Sequence, residues 1–192
     1  MARPKEFKRE DVLQHAISVF AEQGFGATST ETLLSAMGIS RQSMYDTFGD
    51  KWRLYLECLQ HYVADSIGQQ IRVLNSGISP LKGIEALFNY AVRAAMADPT
   101  PKCLGVSAVC EFGRSSPEVT LVNEAASLTL ISALEKRIVE ARAEKEIPED
   151  INCSEAAQFI AATLSGIKIA ARAGAPTKKL RGIARMALRS LQ

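Results

Sequence analysis

The sequence predicts an all-α fold of about nine helices. Apolar residues recur every three or four positions almost throughout, alternating β-branched runs are absent, and the breaks fall at hydroxyl residues, glycines and prolines. With 192 residues, 47% of them hydrophobic and 23% charged, the chain can hold one sizeable core and a small appended module, and it buries enough apolar surface to offset the entropy of ordering. No run reaches the roughly 18 apolar residues of a membrane span, and the first thirty residues carry no secretory leader pattern. The expected compartment is therefore the cytoplasm, with no membrane partner.

The first helix is expected over 8–23, with Val12, Leu13, Ala16, Ile17, Val19 and Phe20 as its buried stripe and Gly24 as its stop. Thr28, Ser29 and Thr30 offer capping hydroxyls to a short second helix, 31–37, whose Leu33, Leu34 and Met37 face inward. Gly38 ends it, Ser40 caps a third helix over 41–48, and Asp50 caps a fourth that continues from 51 to about 74. Proline lacks the N–H that a first helical turn leaves unused, so Ser79-Pro80 opens one helix and Ser116-Pro117 opens a long one to about 145. Between these two, Asp98-Pro99-Thr100-Pro101 breaks the chain ahead of a helix over 102–114. Ser154 caps a helix reaching 173, and Pro176-Thr177 starts the last.

Net charge is only +2, and the first 51 residues hold six basic and seven acidic side chains, so bulk charge identifies no partner. Cys58, Cys103, Cys110 and Cys153 lie far apart, without a CxxC pair and with two histidines in the whole chain. They read as reduced thiols rather than a zinc cage or a disulfide framework, so neither a metal nor a cofactor is expected. No nucleophile is paired with a base and no glycine loop is spaced to cradle phosphate, which argues against an enzyme.

Function concentrates between Gly24 and Lys51. Gly38 permits the positive φ of a tight turn between two short helices, and Ile39 pins that turn from below. Met44 and Phe48, four apart, anchor one face of the third helix. Its first turn presents Arg41, Gln42 and Ser43, side chains able to read base edges in a major groove, where arginine pairs with guanine and glutamine with adenine. Tyr45 and Thr47 suit phosphate or thymine-methyl contact, while Thr28, Thr30 and Lys51 stand where phosphates lie against helix starts. Arg3, Lys5, Lys8 and Arg9 add cations able to reach the backbone or minor groove.

With this spacing, including the stretch SRQSMYDTFGDK, residues 8–56 resemble the DNA-binding domain of the TetR family of transcriptional repressors. The resemblance implies a DNA-binding domain over 1–52 and an effector-binding and dimerisation domain over 53–192. It also implies a homodimer on a palindromic double-stranded operator, released by a small-molecule effector, with Arg41, Gln42, Ser43, Tyr45, Thr47 and Lys51 at positions that commonly touch DNA.

The dimer surface is expected on the last two helices. The helix over 154–173 is apolar nearly all round and rich in small residues, and the final one sets Leu180, Ile183, Ala184, Ala187 and Leu191 against a basic stripe of Lys178, Arg181, Arg185 and Arg189. Candidates for lining an effector site are Tyr62, Leu87, Tyr90, Met96, Cys103, Val106, Cys110, Phe112, Phe159 and Thr163, each of which also fits ordinary packing. An alternative mode of sensing is a thiol switch at Cys103. That residue is expected in the first turn of its helix near Lys102, with Cys110 on the same face about 10 Å away, beyond disulfide reach.

Overall fold

The computed structural model describes residues 7–97 and 103–192. Arg3, Lys5, Lys102 and the Asp98-Pro99-Thr100-Pro101 break lie outside the described residues. Among the described residues there are nine helices and no strand: α1 (Arg9–Ala27), α2 (Thr30–Met37), α3 (Arg41–Phe48), α4 (Lys51–Leu74), α5 (Pro80–Met96), α6 (Leu104–Phe112), α7 (Pro117–Ala143), α8 (Cys153–Arg172) and α9 (Thr177–Arg189). None is long and apolar enough to cross a membrane.

Local chemistry places most of the helix starts. Ser29, Ser40 and Ser79 each sit in extended backbone and accept a bond from the amide three residues on, at 3.0, 3.1 and 3.4 Å, and Asp50 accepts from Arg53 N at 2.8 Å. Four boundaries differ from the expectations. Gly24 kinks α1 instead of ending it: its φ of +76° and ψ of 177° are open to glycine alone, and helical backbone resumes to Ala27. Asn152, rather than Ser154, caps α8, its Oδ1 accepting from both Ser154 N and Glu155 N at 3.1 and 3.2 Å. The long α7 stops at Ala143, where Lys145 turns left-handed (φ +60°) and Glu146 N bonds back to Ala141 O at 2.9 Å. Cys103 precedes α6 in extended backbone, so it does not share a helix face with Cys110.

The chain divides into two compact units, Met1–Ala64 with Cys103–Asn123, and Asp65–Lys102 with Glu124–Gln192. In the first, Phe20, Leu33, Met44, Leu54, Tyr55, Leu59 and Leu104 are fully buried in one core drawn from α1 to α4 and α6. In the second, Ile84, Leu87, Leu134, Ile138, Ile160, Ile167 and Leu180 close a core among α5, α7, α8 and α9. Arg137 ties α7 to the start of α5 there, donating to Ser79 O at 3.3 Å, while Glu146 accepts from Leu81 N at 2.7 Å.

Candidate nucleic-acid interface

The turn between α2 and α3 is built as its residues require. Gly38 takes φ +64° and its N–H donates to Leu34 O at 2.9 Å, closing α2 with a left-handed residue. Ile39 is half-buried against the core of the first unit. Met44 and Phe48 are buried (0% and 5% exposed), so α3 is held by one face and offers the other. On that outer face Arg41, Gln42 and Tyr45 are exposed, while Ser43 and Thr47 are half-buried. A rigid helix with a polar, solvent-facing side of this length matches what enters a major groove.

The outward groups are already engaged with one another. The Arg41 guanidinium is bonded to the Glu31 carboxylate at the start of α2 and lies beside the Tyr45 hydroxyl, and these neighbours raise its pKa, Glu31 first. The Glu31 carboxyl is held below the usual carboxylate range, first by its own backbone amide in the opening turn of α2 and then by Arg41. Gln42 Nε2 donates to Asp46 Oδ1 at 2.8 Å, and the Ser43 hydroxyl lies 2.9 Å from the Ser40 hydroxyl that caps α3. Thr30 is half-buried at the first turn of α2.

Lys51, at the first turn of α4, sets its ammonium 4.2 Å from the centroid of the Phe25 ring, a cation–π contact. Two sequence expectations are corrected. Thr28 is 1% exposed and its hydroxyl donates to Gly24 O at 2.5 Å, so it braces the α1 kink and does not present a hydroxyl to the surface. Arg9 belongs to α1, where it donates to Glu57 at 2.7 Å and its guanidinium stands 5.1 Å over the Phe48 ring; it is committed within the chain rather than free to reach a groove.

Three participants escaped the sequence reading. Asp46 stands four residues after Gln42, a helical neighbour that spacing alone could have flagged. Glu31 and Arg41 are ten residues apart on different helices, beyond any periodic signal. Glu111 of α6 accepts from Phe25 N and Gly26 N at 2.9 and 2.6 Å, capping the segment that resumes after the Gly24 kink. Phe112, next in sequence, packs with Phe25, Trp52 and Tyr55 in an aromatic cluster whose ring centroids lie 5.1 to 5.9 Å apart. Within the first unit, α6 therefore grips the stretch of chain that leads into α2.

The ten effector candidates fall into two groups. Tyr62, Cys103, Val106, Cys110 and Phe112 belong to the first unit, where Cys110 is exposed and the others are half-buried. Leu87, Tyr90, Met96, Phe159 and Thr163 belong to the second, where Leu87 is fully buried core and Met96 is exposed. Phe159 and Thr163 line an open, largely apolar groove with Gly182, Ile183 and Met186 of α9.

A two-helix turn with a glycine hinge, a buried anchoring face and an outward arginine, glutamine and tyrosine defines a helix-turn-helix DNA-binding protein. Residues 12–58 match the bacterial regulatory proteins of the tetR family, and residues 80–187 match the tetracyclin repressor-like C-terminal domain. The chain is 32% identical over 163 residues to an uncharacterized HTH-type transcriptional regulator, YezE of Bacillus subtilis, covering 83% of this chain and 84% of YezE. It is 26% identical over 192 residues to the HTH-type transcriptional repressor ComR of Escherichia coli, covering 97% and 90% of the two chains. Its fold superposes with a TM-score of 0.87 on a cysteine mutant of the TetR family regulator CifR in complex with operator DNA, at 29% identity and covering 99% of this chain and 100% of that one. The chain belongs to the TetR family of transcriptional regulators.

Proposed function

We propose that the protein is a homodimeric repressor that grips a palindromic operator and is released by a small-molecule effector, with residues 1–52 as the DNA-binding part and 53–192 holding the effector and the dimer surface. The observation that carries the reading is the outer face of α3: Arg41, Gln42 and Tyr45 stand exposed on a helix whose inner face, Met44 and Phe48, is locked in the core. In this reading Arg41, Gln42 and Ser43 contact bases, and Tyr45, Thr47, Thr30 and Lys51 contact the backbone. ComR, a named repressor, and CifR, seen on a 26 bp operator, support it. The open apolar groove between α8 and α9 supports pairing through those two helices, since a single short recognition helix gains its affinity from a second copy about one helical turn away.

Selection of random duplexes with the purified protein is expected to enrich a palindrome; enrichment of nothing, or of an asymmetric site, counts against the reading. On the enriched site Arg41→Ala should lose discrimination at one base pair in each half-site, by about 1 to 3 kcal/mol. A second reading keeps the operator and changes the signal, with modification of Cys103, or of the exposed Cys110, releasing the DNA. The solvent access of Cys110 and the half-burial of Cys103 support keeping this alternative. Peptide mass spectrometry after graded peroxide or aldehyde treatment separates the two, because operator release with both thiols unmodified would exclude it.

A further inference from the structure

We infer that Glu31 is the residue that sets the specificity of the reading helix, holding the Arg41 guanidinium in the pose that one base pair accepts and masking its charge until that base pair is met. The inference deepens the proposal that Arg41 reads a base and rests on it.

Glu31 lies on α2 and Arg41 on α3, so their ion pair spans the two halves of the helix-turn-helix. The carboxylate sits in the opening turn of α2 and its bonded partner there is the Arg41 guanidinium. Because the carboxylate is carried by a neighbouring helix rather than by α3 itself, the pair fixes the direction in which the Arg41 guanidinium extends from α3. The Tyr45 hydroxyl is a second neighbour of the guanidinium. Arginine carries large rotamer freedom, and a side chain already confined loses less of it on meeting guanine.

The charge argument points the same way. A bare Arg41 would attract the phosphates of any sequence, whereas a paired one contributes little net charge to non-specific attraction. Guanine offers two acceptors in the plane of the guanidinium fork and can compensate for the shared carboxylate; a base pair lacking them cannot. Gln42 is treated alike, since its amide already donates to Asp46. A reading face with its cations and donors engaged in advance favours discrimination over raw affinity. It accords with a first 51 residues in which acids outnumber bases.

The test uses the full-length protein on the duplex enriched by wild-type selection and on a set of single-base-pair variants, read by fluorescence anisotropy at fixed salt. Thermal melts check folding; Glu31 is exposed, and the variants are expected to fold. Glu31→Gln should cut discrimination at the base pair assigned by Arg41→Ala about three- to tenfold, and should raise affinity for unrelated duplexes about two- to threefold. Glu31→Asp keeps the charge but shortens the reach, and should lose discrimination without the gain in non-specific affinity. In an Arg41→Ala background, Glu31→Gln should leave base preference unchanged. If Arg41→Ala loses discrimination while Glu31→Gln and Glu31→Asp both retain it, the role assigned to Glu31 is overturned and the reading of Arg41 stands. If Arg41→Ala itself keeps full preference at every base pair, both fall together.

Discussion

Arg41 and Lys51 carry the same charge and are expected to act on DNA in opposite ways, because their settings differ. Arg41 is fork-shaped, exposed and paired with a carboxylate, so its loss should be felt at one base pair. Lys51 is a point charge over the Phe25 ring at a helix start, so Lys51→Ala should weaken all duplexes alike and lower the slope of log affinity against log salt by about one. A titration of binding against salt on operator and random duplex checks it, and a loss confined to one sequence would contradict the phosphate role. Two of the thiols differ in the same residue-by-residue manner. Burial pushes the Cys58 thiol far above its ordinary value, with the Glu57 charge adding to the effect, while Cys110 is exposed. Iodoacetamide near neutral pH should therefore label Cys110 in the folded protein and reach Cys58 only after denaturation, as followed by peptide mass spectrometry. Early labelling of Cys58 would mean that the first core opens readily.

At the scale of elements, two glycines do different jobs, and alanine should expose the difference. At Gly38 an added Cβ would meet nothing within 4 Å, so Gly38→Ala should cost only the left-handed backbone penalty, about 1 to 2 kcal/mol in urea denaturation. At Gly24 the backbone lies in a region open only to glycine, and a Cβ would stand 2.7 Å from Glu111 Oε2. Gly24→Ala should cost about 2 to 3 kcal/mol and disturb the cap that Glu111 provides. Glu111→Ala isolates that cap: Phe25 and Gly26 lose their acceptor, at about 1 kcal/mol of stability, and operator affinity should fall because the segment leads directly into α2. Equal stability and affinity in wild type and Glu111→Ala would show that water replaces the carboxylate at no cost.

At the scale of the molecule, the exposed apolar side chains of α8 and α9 carry the expectation of a dimer. Phe159 is 48% exposed and Met186 61% exposed, both on the groove between the two helices, and single copies rarely leave side chains of this size together in water. Phe159→Glu alters an exposed site, so each chain should still fold. It should shift sedimentation from dimer toward monomer and reduce operator affinity at least tenfold, because the second half-site no longer adds its contacts. A variant that remains dimeric would move the pairing surface elsewhere.

Legibility followed the range of the interaction. The caps at Ser40, Asp50 and Ser79 could be read from the sequence because each bond spans three residues, Ser29 stood among three candidate caps of α2, and the anchoring of α3 by Met44 and Phe48 followed because a helix repeats every 3.6. Thr28 was misjudged because a hydroxyl beside a helix start can face either way, and only the kink at Gly24 turned it inward. The continuation of α1 past Gly24 depends on a carboxylate more than eighty residues away, and the tether on Arg41 comes from a neighbouring helix. By itself the sequence determined the order of the helices, the turn between α2 and α3 and the outward side chains of α3, since these follow from contacts between near neighbours in the chain. Only the tertiary structure decided which of those side chains are already held and by what, because ion pairs and caps between helices depend on proximity in space, which no local spacing encodes.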